Sequence, residues 1–181
     1  MRHLLRAFDR LVTGMAYVTG ALFLLISFYI TADVTGRKFF HLSSGATDEI
    51  GGYALGLGGM WALAYTLKTG GHVRIDVLLP HLPLRAQSVL HYVALALMAL
   101  FASVVAVYAW RLALDSFWGD ARAMSFMQTP LFVPQGLMAT GFSALGLEAI
   151  VLLGTGLAES VRVGRLVPVE LPHGTELSEE A

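Results

Sequence analysis

A single carboxylate, Glu148, interrupts an apolar run from residue 131 to residue 158. A carboxylate in such a run is costly in a membrane, so it usually faces protein or water. Gly136, Thr140 and Ala144 precede Glu148 at intervals of four residues, so it continues a small-residue stripe on one helix face. Such a stripe packs against another helix, which predicts a buried carboxylate, protonated or paired with a basic group. A proton relay needs a second titratable group at similar depth, and the sequence indicates none. A structural hydrogen bond is therefore the expected role.

The other polar residues sit at the ends of apolar runs. Asp33 and Arg37 are four residues apart and can pair if a helix continues past Ala32. Arg111 and Asp115 have the same spacing. Glu49 falls where a helix dipole favours negative charge, and Thr47 or Asp48 is placed to cap that helix. His72, Arg74 and Asp76 alternate in a polar segment after Gly70 and Gly71. They read either as a docking or loop-anchoring cluster or as ordinary loop polars beside a helix end. Of the six histidines, only His91 lies in an apolar run, so facing histidine ligands for a haem are not supplied.

Several chemistries lack their motifs. The chain contains no G-x-x-x-x-G-K-[ST] phosphate loop and no H-E-x-x-H. It has no cysteine, which excludes disulfides and Cys-ligated zinc or iron–sulfur clusters. No cofactor, metal site or catalytic constellation is expected.

What must position these residues is a set of four apolar stretches, residues 11–32, 50–67, 89–110 and 131–158. The first three carry no Asp, Glu, Lys or Arg. A helix rising about 1.5 Å per residue crosses a hydrocarbon core of about 30 Å with roughly 20 residues, so each is long enough, the second near the lower limit. The chain is 56% hydrophobic and only 14% charged, with a mean hydropathy of +0.66. These values predict an all-α polytopic membrane protein with four transmembrane helices in one compact bundle. Residues 1–10 form an amphipathic cytoplasmic segment along the headgroups, turning into the first span. Residues 11–160 form the membrane domain, and residues 161–181 a disordered cytoplasmic tail ending in acidic residues. The first apolar run is longer than a signal-peptide core and is read as retained.

Lys and Arg fall mostly on one side. Arg2, Arg6, Arg10, Lys68, Arg74, Arg85, Arg162 and Arg165 lie on the N-terminal side of the membrane, against Arg37, Lys38, Arg111 and Arg122 opposite. This bias places both termini in the cytoplasm. The second span is built for close approach. Ala54, Gly58 and Ala62 recur every four residues up to Thr66, and Gly52 and Gly56 form a second small pair. Contacts on more than one side of that helix are expected. Pro130 and Pro134 start the fourth helix.

The sequence resembles the small membrane subunit, DctQ-type, of tripartite ATP-independent periplasmic (TRAP) transporters across residues 11–157. The resemblance is carried by Asp33-x-x-x-Arg37, Glu49, Gly59-Met60-Trp61, the segment Gly71-His72-Val73-Arg74-Ile75-Asp76, and Thr129-Pro130 with Pro134. The H-x-R-x-D segment after a glycine-rich helix is the most specific part. The resemblance implies a large multi-spanning subunit that moves substrate with sodium, and a periplasmic binding protein that delivers an organic acid. This chain would be a non-catalytic scaffold in the bacterial inner membrane, contacting the large subunit, the binding protein and lipids but no nucleic acid. Asp33, Arg37, Glu49, Trp61, His72, Arg74, Asp76 and Glu148 are the expected polar anchors. The alternatives are a membrane anchor for a redox enzyme and a stand-alone small transporter.

Overall fold

The computed structural model describes residues 2–71 and 82–164. Among them the fold is all-α. Four helices follow in order: α1 (Arg2–Phe40), α2 (Thr47–Lys68), α3 (Leu84–Trp118) and α4 (Phe132–Val163). His72, Arg74 and Asp76 lie outside the described residues, as does the tail beyond Gly164.

α1 is one continuous helix of 39 residues. No turn separates the amphipathic segment from the apolar run, because no proline interrupts residues 2–40. The helix also runs past Ala32 and ends when His41 turns left-handed at φ 55°. α2 starts at Thr47 without a side-chain cap, so neither Thr47 nor Asp48 caps it. Asp48 and Glu49 do occupy its first turn. It ends at Lys68, and Gly70, at φ 70°, then turns the chain so that the Gly71 N–H reaches the Thr66 carbonyl at 2.9 Å. α3 continues beyond Trp110 to Trp118, and Arg111 makes no ion pair with Asp115. Its guanidinium lies over the Tyr108 ring instead, 5.6 Å from the centroid.

α1, α3 and α4 are long and apolar enough to cross a membrane. The 22 residues of α2 are about 33 Å long, which also suffices by length. It is not among the three helices apolar enough by composition, because five glycines and a polar first turn dilute its leucines. The well-packed pairs are α1 with α2, α2 with α4, and α4 with α3. The helices thus stand in a row, α1–α2–α4–α3, and not in the closed bundle expected from length.

Two cores bind this row. Leu67, Leu95, Ala99, Ala102, Leu145 and Ala149 join α2, α3 and α4. Val12, Met15, Ala64 and Ala144 join α1, α2 and α4. Half of these ten residues are alanine, which suits an environment where backbone proximity and van der Waals contact drive association. Large apolar side chains point outward instead, among them Tyr17, Leu25 and Phe28 of α1 and Leu97, Phe101 and Tyr108 of α3.

Candidate functional site

The polar residues gather at three places along the row. The first is the α1–α2 corner. Asp33 Oδ2 accepts a 2.6 Å hydrogen bond from Arg37 Nη2, and Oδ1 accepts one from the Ser44 N–H at 2.8 Å. The Tyr29 hydroxyl donates to Ser44 Oγ at 2.8 Å, and Ser44 Oγ shares a hydrogen bond with Thr47 Oγ1. Asp33 therefore ties the loop back onto the helix that precedes it. Its side chain is only 5% accessible, whereas that of Arg37 is 55% accessible.

Glu49 belongs to the same end. The loop from α3 to α4 folds back on itself, with the Ala123 N–H bonded to the Thr129 carbonyl and the Leu131 N–H to the Ala121 carbonyl. Its tip sets the Phe126 ring against Gly45. Tyr53 donates directly to Glu49 Oε1 at 2.9 Å. The Ser125 and Thr129 hydroxyls and the Met127 N–H also face the carboxylate. They stand outside close hydrogen-bond geometry, since Glu49 Oε2 and Ser125 Oγ are both buried without a partner. Led by Ser125, these dipoles outweigh partial burial and hold the Glu49 pKa below the ordinary glutamate value.

A folded-state pKa below the unfolded one contributes stability that is present above the unfolded value. That contribution fades as pH falls through the folded value. The melting-temperature advantage of the native chain over Glu49→Gln in detergent should hold near neutrality and shrink below a pH of about 4.3. A difference that stays constant down to strongly acid pH would contradict this reading.

The second place is the α2–α4 seam, where α2 and α4 run in the same direction. Trp61 Nε1 donates to the Leu137 carbonyl at 2.9 Å and to Thr140 Oγ1 at 3.0 Å. Gly56 lies against the Met138 sulfur. The tightest approach is at Gly141, where an added Cβ would lie 2.8 Å from the Met60 carbonyl carbon and 2.9 Å from its oxygen. On another side of α2, Gly58 receives the Phe23 ring of α1. The second helix thus makes close contacts on more than one side. Ala54 and Ala144 are buried and Ala62 is half-buried. A Cβ added at Gly52 or Gly136 would meet nothing within 4 Å, so neither is a point of close helix approach. Gly136 lines an apolar groove of about 540 Å³ between α3 and α4, beside Trp110, Phe117 and Phe132.

The third place surrounds Glu148, which is 6% accessible. Among the described residues its carboxylate makes no hydrogen bond or close ion pair, contrary to the structural hydrogen bond expected. It faces a cavity of about 250 Å³ lined by Arg6, Phe8, Asp9 and Val151. Lys68, the last residue of α2, pairs with Asp9 at 2.5 Å and donates to Thr13 Oγ1 at 3.0 Å. Lys68 and Asp9 both lie within electrostatic reach of Glu148. The folded chain therefore supplies titratable neighbours that the linear pattern hid. Among the described residues no group of three or more His, Asp or Glu is arranged to hold a metal ion.

A family model described as the DctQ component of tripartite ATP-independent periplasmic transporters matches residues 26–159. The chain belongs to the DctQ family. No curated protein and no solved structure matches it. The family assignment makes the chain a transporter component, and its apolar helices make it a membrane protein.

The DctQ match runs from the second half of α1 to near the end of α4. It includes the Asp33 corner, Glu49, the Trp61 seam and Glu148. Arg6 and Asp9 precede it, so one wall of the Glu148 cavity lies outside the matched region. The structure brings Asp33 to Arg37 and Trp61 to Thr140, but joins neither pair to Glu148. Sequence reasoning missed Gly141 as the closest crossing, and also Gly146, which abuts Ser103. Both are small residues in a helix full of them, and no spacing rule selects 141 over 136. The Lys68–Asp9 pair joins residues far apart in sequence, so no local pattern announces it.

Proposed function

We propose that this DctQ chain is a non-catalytic scaffold subunit of a sodium-coupled TRAP transporter in the bacterial inner membrane. It holds the large transport subunit during uptake of an organic acid delivered by a periplasmic binding protein. The family match over residues 26–159 carries this reading. Sodium coupling, the organic acid and the two partners come from the family resemblance. The scaffold role is supported by the row of helices, whose outer members α1 and α3 present long apolar faces to lipid or to a neighbouring subunit.

In this reading α2 is the fourth span, carried by its length and by close packing on both sides. Both termini lie in the cytoplasm, as the distribution of Lys and Arg favours. Asp33, Arg37, Glu49 and Trp61 hold the scaffold's own shape. The His72–Asp76 segment anchors the inner loop or docks it on the partner.

Gentle purification of the tagged chain from its host, with mass spectrometry of what accompanies it, tests the proposal. A large multi-spanning subunit in stoichiometric amount is the expected result. A chain that purifies alone, or with a soluble redox protein, would overturn it.

A further inference from the structure

The cavity at Glu148 opens along the seam between α1 and α4, the two neighbours of α2 that make no extensive contact with each other. Its walls carry both signs of charge. Glu148 and Asp9 are acidic, and Arg6 is a cation with no ion-pair partner among the described residues. Lys68 stands behind them, already engaged by Asp9 and Thr13. Glu148 is the unsatisfied member, a carboxylate that is more than nine-tenths buried, faces the cavity and has no hydrogen bond. A buried carboxylate in a membrane protein calls for a cationic donor or a proton.

We propose that this seam binds the zwitterionic headgroup of an aminophospholipid. The primary ammonium sits between Glu148 and Asp9, and the phosphate sits on Arg6. An ammonium has three N–H donors, which match two carboxylates, and a guanidinium matches phosphate oxygens. Phosphoethanolamine has about eight non-hydrogen atoms, and the cavity of about 250 Å³ has room for roughly eight waters at about 30 Å³ each. A choline headgroup carries three methyls in place of those donors. It is bulkier and offers the carboxylates no N–H.

The position suits a lipid and not a free metabolite. Lys68 ends α2 and Asp9 lies near the start of α1, so these two charges stand at one end of their helices, where headgroups lie, while Glu148, midway along α4, faces the cavity they border. Val151 lines the cavity, and Leu147, one turn away on the same face of α4, is 52% exposed. An acyl chain leaving the cavity can follow these side chains.

Native mass spectrometry of the full chain, released from nanodiscs of equal phosphatidylethanolamine, phosphatidylcholine and phosphatidylglycerol content, tests the site. Phosphatidylethanolamine should be retained over both others. Glu148→Gln should cut that enrichment by about tenfold, the worth of one charge-assisted hydrogen bond. Arg6→Gln should lower it too. Should Glu148→Gln fail to fold, the native chain with mono- and dimethylated phosphatidylethanolamine serves instead, and retention should fall with each methyl.

Equal retention of ethanolamine and choline lipids would overturn the proposal. Preference for phosphatidylglycerol would reduce the site to a basic patch, and enrichment that survives Glu148→Gln would remove the carboxylate from it. Soluble phosphoethanolamine bound as tightly as the lipid would overturn the lipid assignment. Loss of the enrichment on assembly with a partner subunit would assign the seam to a protein contact. None of these outcomes depends on which substrate the transporter carries.

Discussion

Gly141→Ala should be the most damaging single-methyl change in this chain. The new Cβ would stand 2.8 Å from the carbonyl carbon and the Cβ of Met60, and 2.9 Å from the Met60 carbonyl oxygen. Backbone atoms cannot rotate aside, so α2 and α4 must separate. Separation would also stretch the two hydrogen bonds from Trp61 to Leu137 and Thr140. Overpacking of this kind costs about 1–3 kcal/mol, sometimes more.

Gly58→Ala is the matched control. Its Cβ would approach Phe23 even more closely, at 2.6 Å, yet the atom met is the far end of an aromatic ring. The ring can swing toward the lipid side, and alanine gains about 0.5–1 kcal/mol over glycine within a helix. Thermal unfolding in detergent should show a large loss for Gly141→Ala and a change of about 1 kcal/mol or less for Gly58→Ala. Equal effects would mean that side-chain and backbone neighbours resist alike, and the seam argument would fail. Gly58→Leu, which the ring cannot accommodate, should part α1 from α2 within the chain before it affects any partner.

The second large effect is expected at Asp33. Asp33→Ala removes the acceptor of both the Ser44 N–H and Arg37. The loop between α1 and α2 then loses the anchor of its backbone at Ser44 and is left with the Tyr29 hydroxyl of α1 on Ser44 Oγ, which also shares a hydrogen bond with Thr47. We expect a melting temperature lower by several degrees and faster proteolysis between residues 41 and 46. Arg37→Ala should do much less, because the guanidinium is mostly exposed and a surface ion pair contributes little. Asp33→Asn should fall between the two, since its side-chain carbonyl can still accept from Ser44. If Arg37→Ala were as harmful as Asp33→Ala, the ion pair and not the loop tie would be the important contact.

Much of this architecture was legible in the residues. Long charge-free runs can only be apolar helices when backbone groups must be satisfied without water. Asp33 and Arg37 were readable as a pair because spacing of four on a helix is local geometry. The small-residue pattern of α2 announced close contact on two sides, and the structure fills them with Phe23 on one and Met138 with Gly141 on the other. The match to the DctQ family also follows from sequence alone.

What the sequence could not decide is which small residue meets which helix. Gly52 and Gly136 fit the spacing rule yet leave open space for a Cβ, while Gly141 breaks the stripe and makes the closest approach to another helix's backbone. Spacing defines a face, but the crossing angle and the axial offset of two helices choose the residue on it. The same holds for charge. Glu148 looked isolated because its neighbours Arg6, Asp9 and Lys68 come from two other helices. Only packing brings them to one seam, because electrostatic energy depends on distance in space and not along the chain.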